Sequence, residues 1–226
     1  MKTRIFSLVA ILVLSVIALQ AQVSFGVAAG PNFQNMVGKG AYGSKITNGM
    51  IIGFHAGVKA NIPVAPDFFF QTGLLFSQKG SKNNLFMYGK KSASEDYYNT
   101  TRISYIELPL HLLYSPELGN GRLRLGFGPY IAYGIAGKHT FNYDVLDVIK
   151  IKFKNQIEMA EYSMDEVYFR GFDAGADIFA GYEFAFGIYA QLNAQLGLLN
   201  MMTDITEFDD PNLKNTGFGV SVGYNF

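Results

Sequence analysis

Apolar and polar positions alternate along this chain. From Gly217 to Phe226, Phe218, Val220, Val222, Tyr224 and Phe226 share one parity, and Gly217, Gly219, Ser221, Gly223 and Asn225 share the other. A strand points successive side chains to opposite faces, so this segment predicts a ribbon with one greasy face and one small or polar face. The rhythm recurs upstream. Val23 to Gly30 sets Val23, Phe25, Val27 and Ala29 against Ser24, Gly26, Ala28 and Gly30. Met50 to Ile62 sets Ile52, Phe54, Val58 and Ile62 against His55, Gly57, Lys59 and Asn61. Further strands are predicted over Phe68 to Lys79, Arg102 to Ser115, Arg122 to Ile135, Tyr168 to Tyr182 and Phe184 to Leu196, which with the last segment makes eight.

The connections alternate too. Those at 63–67, 116–121 and around Glu183 are short, whereas 31–48, 80–101, 136–167 and 197–215 are long and polar. Strict short–long alternation with an even strand count predicts an all-β fold, an eight-stranded antiparallel up-and-down transmembrane β-barrel, with short turns in the periplasm and long loops outside. A soluble sandwich would not explain the alternating connection lengths, nor apolar faces free of charge along whole strands.

The N-terminus changes the picture. Lys2 and Arg4 precede an apolar run from Ile5 to Leu19, then Gln20-Ala21-Gln22. A positive start, a short apolar stretch and a small residue predict a secretory signal peptide over 1–21 and a barrel domain over 22–226. The run is shorter than the ~20 residues a spanning helix needs. No cysteine follows it, so no lipoprotein anchor is predicted.

Composition adds exclusions. The 18 basic and 18 acidic side chains balance, which gives no reason to propose a nucleic-acid partner. The chain has no cysteine, so disulfides, thiolate metal sites and cysteine nucleophiles are excluded. Its 25 glycines and 15% aromatics suit a crowded barrel interior and interfacial girdles. Phe68, Phe70, Tyr114, Tyr182, Phe184, Tyr224 and Phe226 share the outward parity near the short turns, and are predicted to form the periplasmic girdle.

An eight-stranded barrel is just wide enough for side chains to fill it. Buried charges need partners, so Lys59, Glu107, His111, Arg124, Asp173 and Asp177 are predicted to form one polar network that plugs the lumen. The short turn between strands four and five should bring His111 near Arg124 and Gly126, and Glu107 near Tyr130. A wide aqueous pore would need many more strands.

Candidate chemistry is sparse. His111 lies near Glu107 with no serine aligned to it, His55 has no evident partner, and His139 falls in a loop. No Gly-x-Ser-x-Gly, His-Glu-x-x-His or phosphate-binding loop occurs. Neither catalysis nor a cofactor is predicted. Glu207, Asp209 and Asp210 lack the glycine-containing spacing of a calcium loop, so no metal site is predicted. Partner binding is assigned to the loops, where Phe86, Tyr88, Tyr97 and Tyr98 sit among mixed charges suited to protein or glycan. The stretch Val145 to Phe153 is predicted to extend a hairpin above the membrane.

Several segments resemble the Bacteroidetes outer-membrane barrel family called PorT-like or "porin family" proteins. They are Phe25-Gly26-Val27-Ala28-Ala29-Gly30-Pro31-Asn32, Gly53-Phe54-His55-Ala56-Gly57, Leu74-Leu75-Phe76-Ser77-Gln78-Lys79-Gly80, Tyr105-Ile106-Glu107-Leu108-Pro109-Leu110, Leu125-Gly126-Phe127-Gly128-Pro129-Tyr130 and the terminal Gly-Tyr-Asn-Phe. The resemblance implies a monomeric barrel, surrounded by outer-membrane lipid and lipopolysaccharide and inserted by the outer-membrane assembly machinery. It also implies an alternative role, as an accessory to type IX protein secretion. A lipid-modifying barrel enzyme using His111 is the second alternative.

Overall fold

The structure is a computed structural model that describes residues 23–39, 45–46, 48–84, 86–87, 90–91, 98–142, 146–161, 163, 165–205 and 212–226. Eight strands close into one antiparallel barrel. They are β1 Ser24–Lys39, β2 Ile51–Ala65, β3 Phe68–Asn84, β4 Tyr98–Tyr114, β5 Gly121–Asn142, β6 Phe172–Phe184, β7 Ile188–Gly197 and β8 Asn212–Asn225. Each strand pairs with its neighbour in sequence, and β1 closes on β8 from Gly26↔Asn225 to Lys39↔Asn212. The expected signal segment lies outside the described residues.

Alternation becomes inside and outside. Along β8, Phe218, Val222 and Tyr224 are exposed while Asn215 and Ser221 are buried. Along β2, Ile52, Phe54 and Val58 are exposed while Lys59 and Asn61 are buried. A large apolar surface that no protein covers needs hydrocarbon against it, because contact with water costs about 25 cal/mol for every Å².

Several strands run further than the alternation of apolar residues predicts. β1 continues through the first part of the expected 31–48 loop, to Lys39. There Asn32, Gln34 and Met36 are buried and face inward. Polar residues on a lumen face look like a loop when sequence is read for hydrophobicity. Pro31 lacks an N–H, and the pairing of β1 with β8 skips Gly30 and Pro31 while pairing with β2 continues through them. β3 likewise reaches Asn84, β4 begins at Tyr98, and β5 reaches Asn142. A bulge between Ser104 and Tyr105 opposes Ala136 and Gly134, leaving Ile135 unpaired there.

The two ends differ. At one, Pro66-Asp67 turns β2 into β3, with Asp67 at φ 62°. That left-handed backbone is tolerated by aspartate and requires no glycine. Gly187, at φ 85°, makes the tight turn between β6 and β7. At the other end, strand Leu146–Phe153 pairs back on β5, as the predicted hairpin extension requires, and then runs parallel to Val167–Phe169. Ile151 and Phe169 from this segment pack with Met36, Ile103, Met201 and Leu213 in a buried apolar cluster at the mouth of the lumen.

Candidate functional site

The lumen is where the chain concentrates its buried polar atoms. Lys59, Glu107, His111, Arg124, Asp173 and Asp177 are all buried in it. Their direct hydrogen bonds and ion pairs fall into three groups along the lumen rather than one continuous chain.

Nearest the short turns, Arg124 Nη1 donates to Glu183 Oε2 at 2.6 Å, and Asn225 Nδ2 donates to the same oxygen at 2.6 Å. The Arg124 guanidinium also stacks 4.2 Å from the centre of the Tyr189 ring. Here Gln71 Nε2 donates to Asn61 Oδ1 at 2.7 Å.

The middle group holds His111 and Asp177, 3.1 Å apart across β5. His111 therefore pairs with a carboxylate two strands away rather than with Glu107 on its own strand. It sits against Gly128, two residues beyond the predicted Gly126, because the hairpin closes on Gly119-Asn120, with Glu117 paired to Arg122 and Leu118 to Gly121. A Cβ on Gly126 would lie 2.1 Å from Phe179 Cζ, so the glycine makes room for that ring inside the lumen. Lys59 Nζ lies 5.6 Å over the Phe179 ring. The group borders a cavity of about 70 Å³, whose wall includes Lys59, Glu107, His111, Asp177 and Ser221. His55 Nε2 lies 2.7 Å from Ser221 Oγ, which also accepts a 2.8 Å hydrogen bond from Asn193 Nδ2. The partner missing for His55 in the sequence comes from the last strand.

The third group is centred on Lys79. Its Nζ is 2.8 Å from Glu107 Oε2 and 3.3 Å from Asp173 Oδ2. Tyr130 Oη donates to Asp173 Oδ2 at 3.2 Å, Asn215 Nδ2 donates to the same oxygen at 2.9 Å, and the Tyr130 ring lies 4.0 Å from the Lys79 amine. Gln195 Nε2 donates to Glu107 Oε1. Glu107 and Tyr130 thus meet through Lys79. The apolar cluster of Met36, Ile103 and Ile151 lies directly beyond this group.

Sequence reading missed Lys79, Asn215, Glu183 and Tyr189 as partners. Lys79 was legible, since it shares parity with Gln71 and Ser77. Asn215 and Glu183 lie at the edges of the predicted 197–215 loop and of the turn near Glu183, where polar residues mask the strand alternation.

The seven aromatics singled out in the sequence sit together at the short-turn end. Phe68, Phe70, Tyr114, Phe184, Tyr224 and Phe226 are exposed on the outer face. Tyr182 is partly covered, its hydroxyl donating to the Leu118 carbonyl at 2.7 Å. Phe68 stacks on Tyr114 at 4.7 Å, and Tyr224 meets Phe226 edge-on at 5.2 Å.

Beyond the lumen mouth, Lys152 pairs with Glu166, Lys154 with Glu161 at 2.8 Å, and Arg170 with Asp204. Hydrogen bonds from Lys154, and from Lys152 and Tyr168, hold the Glu161 and Glu166 carboxyls below the ordinary glutamate range. The aromatic loop residues 83–97 and the acidic run at Glu207, Asp209 and Asp210 have side chains outside those described. No group of three His, Asp or Glu with metal-binding geometry occurs among the described residues.

A closed eight-stranded barrel with a greasy exterior and a polar interior defines a bacterial outer-membrane β-barrel protein. The chain belongs to the family described as "Outer membrane protein beta-barrel domain", whose model matches residues 20–203. No curated protein matches it by sequence. Among solved structures it is similar to Neisserial surface protein A (NspA), at 10% identity and TM-score 0.43, over 90% of this chain and 99% of that one. It is similar to a major outer membrane protein from Thermus thermophilus, at 13% identity and TM-score 0.46, over 91% of this chain and 100% of that one. Ail, the attachment invasion locus protein of Yersinia pestis, matches at 12% identity and TM-score 0.36, over 90% of this chain and 98% of that one. In outer-membrane barrels the short turns face the periplasm and the long loops face outside.

Proposed function

We propose that this protein is a monomeric barrel whose lumen is plugged by its own side chains, and that it works as a binding or structural element through the part above the outer leaflet. The observation that carries the reading is the Lys79 centre. A buried cation held by Glu107 and Asp173 at 2.8 and 3.3 Å, with an apolar cluster stacked beyond it, supports a filled cross-section. Opening a conducting path would separate buried charges, which costs several kcal/mol per ion. Support for a role above the membrane comes from the ordered strand Leu146–Phe153 and its parallel partner Val167–Phe169, which give the exterior a folded surface of its own.

The His55–Ser221 contact is read as structural. Ser221 already accepts a hydrogen bond from Asn193, and the cavity of about 70 Å³ that it lines is far smaller than a substrate pocket.

Planar-bilayer recording of the refolded mature barrel tests the plug. The expected result is no conductance steps at neutral pH. Steady ohmic steps from a single barrel would overturn the reading.

A further inference from the structure

The basic side chains of the long-loop rim have a feature that the lumen does not explain. In the paired register, Lys150 is directly opposite Lys138, and Lys138 is directly opposite Arg102. Arg102 is opposite Gly80, and Lys82 follows two residues along the same strand. Opposed residues hold their Cβ atoms about 5 Å apart, and like charges so placed repel. None of these four cations makes an ion pair among the described residues, although the Lys82 amine lies 3.4 Å over the Tyr98 ring. Lys152 and Lys154, in the same exterior segment, each have a glutamate.

The row also faces outward. Thr101 and Ile103 flank Arg102 and are buried inside, as Ser81 is beside Lys82 and Ile151 beside Lys150. Lys138 and Lys150 are exposed on the same face of the sheet as the lipid-facing residues below them. Arg102 lies flat on that face, its Nη1 donating to the Ile52 carbonyl at 2.8 Å and to Gln78 Oε1 at 3.2 Å.

Its height is specific. On β3 and β4 the outward apolar series runs from Phe68 opposite Tyr114 up to Phe76 opposite Ile106. At ~3.4 Å per residue and a tilt of about 40°, that spans roughly 20 Å across the membrane. Gly80 and Arg102 lie four residues further, at roughly 30 Å, just past the ~25 Å apolar band of such barrels. This is the level of the outer-leaflet headgroups.

We propose that Lys82, Arg102, Lys138 and Lys150 form a binding site for the phosphate groups of the phosphorylated glycolipid of the outer leaflet. An anion between Lys138 and Lys150 turns their cross-strand repulsion into attraction, and Arg102, held on the β2–β3 side, offers a planar guanidinium suited to further phosphate oxygens. A lipid is the favoured source because the cations line the hydrocarbon-facing side, at the level of the headgroups.

The test uses the full mature barrel, refolded into phosphatidylcholine nanodiscs carrying either bisphosphorylated lipid A or enzymatically dephosphorylated lipid A at equal mole fraction. Lipid A retained per barrel after detergent extraction is counted by native mass spectrometry. The wild type is expected to keep the phosphorylated form preferentially. Lys138→Gln with Lys150→Gln should cut that preference roughly tenfold or more, since each cation near a charged headgroup contributes about 1 kcal/mol. Lys152→Gln with Lys154→Gln should leave it unchanged. Heat-modified gel mobility confirms that each variant is folded, and neither Lys138 nor Lys150 makes a side-chain hydrogen bond among the described residues whose loss would threaten the barrel. Equal retention of both lipids by the wild type, or an unchanged preference in the Lys138/Lys150 variant, overturns the site. Displacement of lipid A by micromolar soluble polyphosphate would overturn the lipid as its source.

Discussion

Lys79 on β3 and Glu107 on β4 form an ion pair 2.8 Å long with both side chains sealed from solvent. Asp173 on β6 completes it from across the lumen. Three charges with one positive among them are stable only as a set. Lys79→Met leaves two carboxylates facing each other without a cation, and should cost about 3–5 kcal/mol. Removing all three charges with Lys79→Met, Glu107→Gln and Asp173→Asn should restore most of that loss. Urea unfolding in lipid vesicles measures both, and a triple variant no better than the single would show that the loss does not come from unpaired charge.

Gly126 and Phe179 give a steric prediction. Gly126→Ala places a methyl where the Phe179 ring already sits, at 2.1 Å from its Cζ. Overpacking of this kind costs about 1–3 kcal/mol. Adding Phe179→Leu should recover part of it, because the offending ring edge is gone. If Gly126→Ala alone unfolds at the wild-type urea concentration, the ring does not fill the lumen as described.

The membrane-facing assignment predicts a depth profile. Leu192 is 66% exposed near the middle of β7, and Phe226 is 74% exposed at the short-turn end. Leu192→Arg should destabilise the barrel by about 2–4 kcal/mol, and Phe226→Arg by about 0–1 kcal/mol. Equal costs at the two positions would mean that exposure there is to water.

The exterior segment should respond to acid. The Glu161 and Glu166 carboxyls titrate below the ordinary glutamate value because Lys154, Lys152 and Tyr168 hydrogen-bond the charged forms. A carboxyl with a depressed folded value stabilises at pH above its unfolded value, about 4.3, and that contribution vanishes as pH falls through the folded value. Protection factors of the amides over 150–154 and 166–169, taken against intrinsic exchange at each pH, should therefore fall below about pH 4, while those of β6–β8 hold. Lys152→Met with Lys154→Met should weaken that pH dependence, leaving the part that Tyr168 supplies to Glu166.

What the sequence determined by itself is the two-faced ribbon. A period of two is intrinsic to a strand, so Phe218, Val220 and Val222 had to face away from Ser221 and Gly223 whatever surrounded them. Eight such ribbons with alternating short and long connections left an up-and-down barrel as the economical closure, and the same parity put Lys59, Glu107, His111, Arg124, Asp173 and Asp177 inside. Tertiary structure decided who meets whom. Pairing across the lumen depends on strand stagger and on rings threading past glycines, which no local pattern encodes. His111 therefore found Asp177 on β6, His55 found Ser221 on β8, and Glu107 found Lys79. The ends of strands were hidden for a related reason. Asn32, Gln34 and Asn215 are strand residues whose polar side chains are wanted inside, and only closure of the barrel shows that their inward face is a core.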